Sequence, residues 1–439
     1  MPGTHSEAAP AICVVIPTYN RHELLRRTLE SLAAQRTDLA TFEVVVSDDG
    51  SADATAEVAQ SFAGRLRLRY VFQPDEGVRI ATARNCGARL ATAPVLLFLD
   101  TGVLAGPDLV AAHLQVHREY PRTAPGAAVM GYTHGFNPLC SFPELATMLA
   151  VHPLTELREL LADDKRFRDV RHHEFERYGF DLRRMYVPWT MFWTMNASVR
   201  TADFRAIGGF DDQFRGWGSE DIDLGRRLAA GGVQLIASRE AWAVESPHER
   251  DPEASIPSNF ANAGRMFEKE PGLLTEMYAA ICSRSARESR ARINDVYEWR
   301  PDLEYAYRAL LAWSEKARCD DPAPGWGMAA QDLPGKRVLV IGCGTTSAPR
   351  GAAAWTLLDY DEELLRRRVP STSRTVVHGL GARIAFPDGS FDAVVVTSRL
   401  AGLWGRWGSK ILSEARRLAP ETQILIQTGA QPAVGAVLS

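Results

Sequence analysis

The sequence has no long apolar stretch and little cysteine, and each scarcity excludes a class of protein. No apolar run approaches the roughly 18 residues that a helix needs to cross a bilayer. The N-terminal segment MPGTHSEAAP lacks the basic-then-apolar order of a signal peptide. The six cysteines are scattered without a C-x-x-C pair, which argues against a disulfide framework or a zinc knuckle. We therefore expect a cytoplasmic protein whose free thiols are buried as small apolar side chains.

Neither sign of charge is in large excess. The chain has 50 basic and 54 acidic side chains and a net charge of −4, which gives no general attraction to nucleic acid or to an anionic membrane. Hydrophobic residues make up 46% and charged residues 24%, as in ordinary globular proteins. A length of 439 residues favours two or three domains.

Short β-branched runs alternate with helical periodicity from residue 11 onward, a pattern typical of a mostly parallel α/β sheet. It predicts strands over 11–17, 42–50, 66–72, 93–100 and 233–237, and helices over 21–35, 78–92 and 221–230. Residues 136–188 interrupt this alternation and are rich in charge. We expect helices and a mobile insertion there, which would suit an acceptor lid.

Proline and glycine punctuation over 320–335 marks a boundary, because the segment 336–344 then begins a fresh strand. We therefore predict three parts. The first is an α/β domain over 1–265, the second a helical connector over 266–330, and the third a smaller Rossmann-like α/β domain over 331–439.

Polar residues follow the strands of the first domain at their carboxyl ends, where open α/β sheets place their ligands. This set comprises Pro17, Thr18, Tyr19, Asp48, Asp49 and Asp100. A carboxylate there can accept the imide N–H of uracil or a ribose hydroxyl. The alternative is a helix cap and a turn, which Asp, Gly and Ser also serve.

A second candidate is Arg84, within the small-residue segment GVRIATARNCG. Small neighbours would let a nucleotide approach, and the guanidinium could pair with a diphosphate. Alternatively, alanine and glycine pack the helix tightly on the sheet and leave Arg84 in solvent.

Three acids crowd the start of the next predicted helix, in GWGSEDIDLGRRL. They are Glu220, Asp221 and Asp223, and the helix dipole stabilises negative charge at that end. Trp217, beside Gly218, could present its ring to a sugar or could anchor the core. Trp193 in VPWTMFWTMN could form an acceptor platform, which an apolar strand entering the core explains almost as well.

Together, VVIPTYNR, VVVSDDGS, GVRIATARNCG and LLFLD resemble the nucleotide-sugar domain of family 2 glycosyltransferases of the GT-A fold. The segment GWGSEDIDLGRRL is similar to the GWG-x-ED-x-D motif of β-galactosyltransferases, and the two resemblances cover roughly residues 11–265.

The resemblance implies an inverting transfer of a sugar from a nucleotide donor, such as UDP-glucose, to a hydroxyl of a soluble acceptor. A natural-product aglycone, an aminocyclitol or a cell-wall precursor would qualify as the acceptor. It makes Asp221 the catalytic base and Glu220 a partner of sugar or acceptor hydroxyls. Trp217, Gly218, Asp223 and Trp193 are then expected to bind sugar or acceptor.

Family members commonly carry D-x-D where this chain has Asp100-Thr101-Gly102, so only the first acid is present. A Mg²⁺ or Mn²⁺ ion would then be held by Asp100, with His248 as a second ligand by analogy with metal-using relatives. Otherwise Arg84, Arg79 or Arg250 neutralises the diphosphate without a metal. His113 and His117 lie four residues apart, and we expect them on a solvated helix face.

The segments VLVIGCGTT, LLDYDEELL and FPDGSFDAVVVTS resemble class I methyltransferases, which use S-adenosylmethionine. The acid usually found before the glycine turn is replaced by Val340. We therefore expect a degenerate domain that does not use the cofactor and serves packing or dimerisation. Two alternatives remain: a bifunctional glycosyltransferase and methyltransferase, and a scaffold that binds nucleotide-sugar without catalysis.

Overall fold

The chain divides into two compact units. The computed structural model describes residues 9–120, 125–138, 140–283, 301–320, 335–345, 354–367, 374–424 and 436–438. The first unit contains the chain up to Asn262, and the second contains Ala263–Ser283 and Asp302–Ser439. By this division, the helices of the predicted connector that follow residue 270 fall in the second unit.

The first unit is built on one mixed sheet with strand order β3-β2-β1-β4-β7-β6-β8-β5 in the described residues. The strands are β1 Ile12–Thr18, β2 Phe42–Asp48, β3 Leu68–Phe72, β4 Val95–Leu99, β5 Val103–Ala105, β6 Ala127–His134, β7 Asn196–Arg200 and β8 Gln234–Glu245. Strands β3, β2, β1 and β4 are parallel neighbours, whereas β7 runs antiparallel to β4 and β6. The predicted mostly parallel α/β fold is confirmed.

Helices of the first unit lie between these strands. They are α1 His22–Ala33, α2 Thr55–Ser61, α3 Ile80–Leu90, α4 Leu109–Glu119, α5 Glu144–Val151, α6 Leu154–Asp163, α7 His172–Arg177, α8 Thr201–Ala206 and α9 Glu220–Ala230. Helix α10, Pro252–Lys269, follows β8 and belongs to the first unit up to Asn262. On α1, the leucines at positions 25, 29 and 32 are fully buried in the core. Their spacing of three and four residues places them on one face of the helix.

Helix α3 approaches the sheet closely because it carries glycine at position 87. A Cβ atom at Gly87 would lie 2.4 Å from Cγ1 of Val15 on β1. The structure thus shows the close packing that the alternative interpretation of this segment expected. However, Arg84 on the same helix is buried rather than in solvent.

The prediction that His113 and His117 face solvent is wrong. Both lie on α4 and are buried at 0% and 6% exposure. Ser198 Oγ lies 2.8 Å from a ring nitrogen of each histidine, and Nε2 of His113 lies 2.9 Å from Oδ1 of Asn196. Burial lowers the pKa of His113 to about 4, so these imidazoles are neutral core side chains that satisfy polar groups of β7.

The expected insertion over 136–188 contains the predicted helices and is anchored by a buried ion pair. The side chains of Asp169 and Arg171 are both fully buried, with Oδ2 and NH2 2.7 Å apart. Arg171 also donates hydrogen bonds to the carbonyl oxygens of Gly131 on β6 and of Met191. The insertion is therefore tied directly to the sheet.

The second unit has a smaller sheet with strand order β11-β10-β9-β12-β13-β14 in the described residues. The strands are β9 Arg337–Ile341, β10 Ala354–Asp359, β11 Arg374–His378, β12 Ala393–Val396, β13 Glu421–Ile424 and β14 Ala436–Leu438. All these neighbours are parallel except β14, which is antiparallel to β13. Its helices include α11 Leu273–Cys282, α12 Asp302–Asp320, α13 Glu362–Arg366 and α14 Trp404–Leu418.

The cysteines are only partly buried, and the apolar segments of the chain are short. The six cysteines are free, but only Cys13 and Cys343 are buried, and Cys319 is exposed. In the described part of the chain, no helix combines the length and apolar character needed to span a bilayer.

Candidate active site

Arg84 lies between two of the predicted site acids, Asp100 and Glu220. Its NH2 and NH1 groups donate hydrogen bonds of 2.9 Å to Oδ1 of Asp100 and to Oε1 of Glu220. Burial would lower the pKa of Arg84, but the two carboxylates raise it overall, so the guanidinium is charged. One arginine thus connects the end of β4 with the start of α9.

The two acids differ in how far a ligand can reach them. The Asp100 side chain is 31% exposed, whereas that of Glu220 is 6% exposed. Oε2 of Glu220 is buried and has no hydrogen-bond partner among the described residues. Because buried polar atoms are nearly always hydrogen-bonded, this oxygen is available to a ligand hydroxyl.

Asp221, beside Glu220, is a carboxyl group prepared to hold a proton. It accepts hydrogen bonds from the backbone N–H groups of Ile222 and Thr194. Burial among protein atoms, and next the charge of Glu220, raise its pKa to about 8, although Arg84 opposes this shift. The residue is nevertheless partly exposed, so a substrate hydroxyl can reach it. A carboxyl group with a pKa near neutrality matches the demands on a general base.

Trp193 and Trp217 both precede this acid pair in the chain. Trp193 precedes Thr194, is partly exposed, and donates its indole N–H to the carbonyl oxygen of Thr190 at 3.1 Å. The guanidinium carbon of Arg171 lies 5.1 Å from its ring centroid, within cation–π range. Trp217 is also partly exposed, so each ring has surface that could meet a sugar.

Asp223 has a different environment from its two neighbours. It is fully buried, and its Oδ2 accepts a hydrogen bond of 2.7 Å from Nε of Arg227. Arg227 in turn donates to the carbonyl oxygens of Ile207 and Gly209. These contacts favour a structural role for Asp223, and its predicted binding role stays a prediction.

The acids at the end of β2 are engaged by their own loop. Asp48 accepts hydrogen bonds from the N–H groups of Gly50 and Ser51 and from the Tyr70 hydroxyl at 2.6 Å. Asp49 accepts the N–H of Arg79 at 2.7 Å. Both acids are buried, as expected if they shape the turn after β2. Their nucleotide-binding role stays a prediction.

The residues at the end of β1 differ in exposure, because Pro17 and Thr18 are buried and Tyr19, which follows the strand, is exposed. Tyr19 is 42% exposed, and its hydroxyl donates to Asp75 at 2.9 Å, which leaves the ring face available for stacking. The buried Thr18 hydroxyl has no hydrogen-bond partner in the described part of the chain. The carbonyl oxygen of Pro17 accepts a hydrogen bond from Thr101.

A second charged cluster lies near Asp100, at the end of β8. Glu245 pairs with Arg250, and Nδ1 of His248 lies 4.0 Å from Oε1 of Glu245. Burial first, and the neighbouring charge of Asp100, raise the pKa of Glu245 to about 7. Burial, and next the charges of Arg250 and Arg21, lower the pKa of His248 to about 4. Acids, arginines and a neutral imidazole therefore share this edge.

Two of these groups have the chemistry of cation ligands. Oδ1 of Asp100 is taken by Arg84, so Oδ2 remains available on a partly exposed side chain. Nδ1 of His248 contacts the Ser246 carbonyl oxygen at 3.1 Å, so Nε2 remains. Within the described ranges, no group of three His, Cys, Asp or Glu side chains converges as a metal site. An ion here would thus take its other ligands from water and diphosphate oxygens.

Comparison with known proteins gives the family. Residues 13–139 match the model of glycosyl transferase family 2, and residues 176–248 match the model of the N-terminal domain of galactosyltransferase. The chain is 43% identical to the validoxylamine A glucosyltransferase of Streptomyces hygroscopicus subsp. jinggangensis, across 95% of this chain and 97% of the relative. The chain belongs to glycosyltransferase family 2. This glycosyltransferase is also 31% identical, over 58% of its length and 69% of the relative, to the uncharacterized glycosyltransferase YfnE of Bacillus subtilis.

Solved structures resemble this glycosyltransferase more distantly. TarS of S. aureus, residues 1–349, has a TM-score of 0.42 at 16% identity, covering 64% of this chain and 73% of that one. The mannosyltransferase PcManGT of Pyrobaculum calidifontis, solved with GDP-Man and Mn²⁺, has a TM-score of 0.40 at 19% identity, covering 72% and 82%.

Sequence reasoning on the glycosyltransferase missed Glu245 and the polar residues of α10. Glu245 ends an apolar run, AWAVE, as Asp100 ends LLFLD, so the rule that located Asp100 could also have found it. Ser258, Asn259 and Asn262 carried no such signal, because polar residues on a helix are usually solvated. Their role depends on a contact with a loop some 40 positions earlier in the chain.

Proposed function

We propose that this glycosyltransferase moves glucose, with inversion, from UDP-glucose to a hydroxyl of an aminocyclitol such as validoxylamine A. The relative that matches over nearly the whole chain is named a validoxylamine A glucosyltransferase, which supports the sugar and the acceptor. The observation that carries the mechanism is Asp221, a partly exposed carboxyl group of raised pKa beside the unpartnered oxygen of Glu220.

In the proposed step, the Asp221 carboxylate takes the proton from the acceptor hydroxyl as its oxygen bonds to the anomeric carbon. The bond from that carbon to the diphosphate oxygen breaks on the opposite face, and UDP leaves with the electron pair. Attack from the opposite face inverts the anomeric centre. Oε2 of Glu220 accepts a hydrogen bond from a hydroxyl of the sugar or of the acceptor. This hydrogen bond fixes the distance between the bound substrate and Asp221.

On the donor side, Asp100 and His248 would hold a Mg²⁺ or Mn²⁺ ion, and when bound the ion supplies charge stabilisation to the leaving diphosphate. The lowered pKa of His248 leaves its imidazole neutral near pH 7, the form that binds metals. Burial, and next the nearby charge of Arg250, lower the pKa of Arg21. Both guanidinium groups add positive potential at this edge. Tyr19 is proposed to stack on the uracil, with Pro17, Thr18, Asp48 and Asp49 around it.

The mechanism is tested by Asp221→Asn, with the exposed Asp108→Asn as a matched control. We expect Asp221→Asn to lose about 100-fold or more in transfer, because the amide cannot accept the proton. The control should match the native chain. Near-normal transfer by a folded Asp221→Asn variant would show that another group is the base.

The substrates are tested by presenting UDP-, GDP- and dTDP-glucose with validoxylamine A, before and after EDTA treatment and Mn²⁺ addition. We expect transfer from UDP-glucose, lost with the chelator and restored by Mn²⁺. Transfer that is insensitive to chelator would exclude the metal and leave the arginines as the partners of the diphosphate.

A further inference from the structure

The loop that leads into the acid pair has an unusual backbone. Gly216, Gly218 and Ser219 have φ angles of 72°, 98° and 68°. This left-handed region favours glycine and is uncommon for serine. Ser219 lies at the N-terminus of α9, directly before Glu220. The loop therefore needs contacts from elsewhere to keep this shape.

Helix α10 supplies two of these contacts through consecutive residues. Oγ of Ser258 accepts a hydrogen bond of 3.0 Å from the backbone N–H of Trp217. Oδ1 of Asn259 accepts one of 2.7 Å from Oγ of Ser219. The fit is close, because a Cβ atom at Gly218 would lie 2.5 Å from Oδ1 of Asn259.

One turn further along α10, Asn262 forms hydrogen bonds with the loop on both sides of Trp217. Its Nδ2 group donates to the carbonyl oxygens of Arg215 at 2.9 Å and of Gly218 at 2.8 Å. Asn262 is 5% exposed, so water cannot easily replace it. The polar face of α10 thus fixes the backbone on either side of Trp217.

We propose that Asn259 and Asn262 are positioning residues for glycosyl transfer. They hold the loop so that the Trp217 ring and the Asp221 carboxylate face the acceptor together. This inference rests on the proposed function, which makes Asp221 the base.

The test uses Asn262→Asp and Asn259→Ala, with the exposed Ala261→Ser on the same helix as control. The first variant places a carboxylate oxygen against two carbonyl oxygens, and the second removes the hydrogen bond between Ser219 and Asn259. We expect kcat/KM for the acceptor to fall about 10- to 100-fold, while the thermal shift with UDP and the pH dependence of transfer stay native.

Asn259→Ala carries the test alone if Asn262→Asp does not fold. Transfer within twofold of native in the folded variants would overturn the positioning role. A loss of UDP binding as large as the loss of transfer would also overturn it, because the substitution would then disturb the whole unit. A failure of the base assignment appears separately, as activity retained in Asp221→Asn.

A second inference concerns the second unit and rests on different residues. Its strand order resembles that of nucleotide-binding α/β folds, in which an acid after the second strand binds ribose hydroxyls. Here that acid is Asp359 at the end of β10, and it is fully buried. Its carboxylate accepts hydrogen bonds from the N–H groups of Gly344 at 2.7 Å and Asp361 at 2.9 Å, and from Nε of Arg399 at 3.2 Å.

Arg399 is itself held on several sides. It is 1% exposed, and its NH1 group donates to the carbonyl oxygen of Ala317 on α12. Its own carbonyl oxygen accepts hydrogen bonds from Trp313 at 2.6 Å and Tyr360 at 2.9 Å. A ribose could reach Asp359 only by displacing this arginine.

The loop after β11 is filled in the same way, by Glu276 from α11. The Glu276 carboxylate is 2% exposed and accepts hydrogen bonds from the N–H groups of Leu380 at 2.8 Å, Ala382 at 2.6 Å and Arg383 at 3.2 Å. These backbone donors are therefore unavailable to a ligand.

We infer that the second unit does not bind S-adenosylmethionine, because Arg399 and Glu276 occupy the polar groups that the cofactor would use. Titration calorimetry of the full chain should give no saturable heat with S-adenosylmethionine, while UDP-glucose on the same sample confirms folded protein. Saturable micromolar binding that Asp359→Asn abolishes would overturn the inference.

The Arg399→Met variant tests whether Arg399 stabilises this edge of the second unit. Removing one partner of a buried pair leaves Asp359 uncompensated, so we expect the melting temperature of the second unit to fall by about 5 °C or more. Arg416→Met, an exposed arginine of α14, is the control. An unchanged melting temperature in Arg399→Met would show that the arginine does not hold this edge.

Discussion

At the scale of single residues, the candidate site depends on the guanidinium of Arg84, which pairs with two of its acids. Asp100, Glu220 and Asp221 would repel one another at the sheet edge if they were all ionised and alone. Arg84 pairs directly with the first two of these acids. Burial, and next the charge of Glu220, raise the pKa of Asp221, and the charge of Arg84 offsets only part of that shift.

The first prediction is that Arg84→Lys is not conservative. An ammonium group cannot reproduce the planar fork that joins two carboxylates, so one acid loses its buried partner. We expect transfer to fall at least tenfold and the melting temperature to drop by several degrees, measured by enzyme assay and thermal denaturation. Arg89→Lys, an exposed arginine on the same helix, is the control, and equal behaviour of the two variants would contradict the bridging role.

The second prediction concerns pH. Because Asp221 must be ionised to accept a proton and its pKa is about 8, kcat/KM should rise with pH through the neutral range and level off above about pH 8. The free energy of unfolding changes with pH in the opposite direction. A pKa raised above the unfolded value stabilises the fold at low pH, and this contribution is lost as pH rises through the folded pKa. A rate profile that is flat from pH 6 to 8 would contradict the assignment.

At the scale of elements, α3 and α10 each fix a different part of the site. Helix α3 carries Arg84 and lies against β1 through Gly87. Helix α10 holds the loop before α9. Small shifts of either helix would move a charged group relative to Asp221.

The third prediction follows for Gly87→Ala. The added methyl group would lie 2.4 Å from Val15, and overpacking of this kind costs about 1–3 kcal/mol, more than the gain in helix propensity. We expect a lower melting temperature together with reduced transfer. The control is Gly64→Ala, where no atom lies within 4 Å of the added Cβ. A Gly87→Ala chain as stable as the native one would mean that α3 relaxes freely.

The elements of the first sheet could be predicted from sequence because period-two and helical patterns are local. The predicted strand over 11–17 is Ile12–Thr18, and the helix over 21–35 is His22–Ala33. Burial was harder to predict. His113 and His117 suggested a solvated face, but Ser198 and Asn196 on a distant strand satisfy them in the core. Glu220 as a partner of Arg84 and the partners of Asn262 were equally hidden, since they are 136 and 44–47 positions away.

At the scale of the whole molecule, two units with separate cores share one chain. The first core is centred on β1, β2 and β4, and the second on Val338, Val340, Leu357 and Val395. The candidate transfer site lies in the first unit, since every residue proposed for it precedes Asn262.

The fourth prediction is that calorimetry resolves two unfolding transitions. A ligand that binds only the native state raises the transition of the unit that holds its site. UDP-glucose should therefore move one transition upward and leave the other in place, and S-adenosylmethionine should move neither. A single transition that shifts as a whole with UDP-glucose would show that the two units unfold together.

The bridge made by Arg84 also has a thermodynamic consequence. A bound donor that engages Asp100 would weaken the ion pair between Asp100 and Arg84. The positive charge of Arg84 would then act more strongly on Glu220 and Asp221. Donor binding would in this way lower the pKa of the base and alter affinity for the acceptor. Since linkage is reciprocal, the acceptor must change donor affinity by the same factor. A single side chain thus couples the affinity for the donor to the affinity for the acceptor.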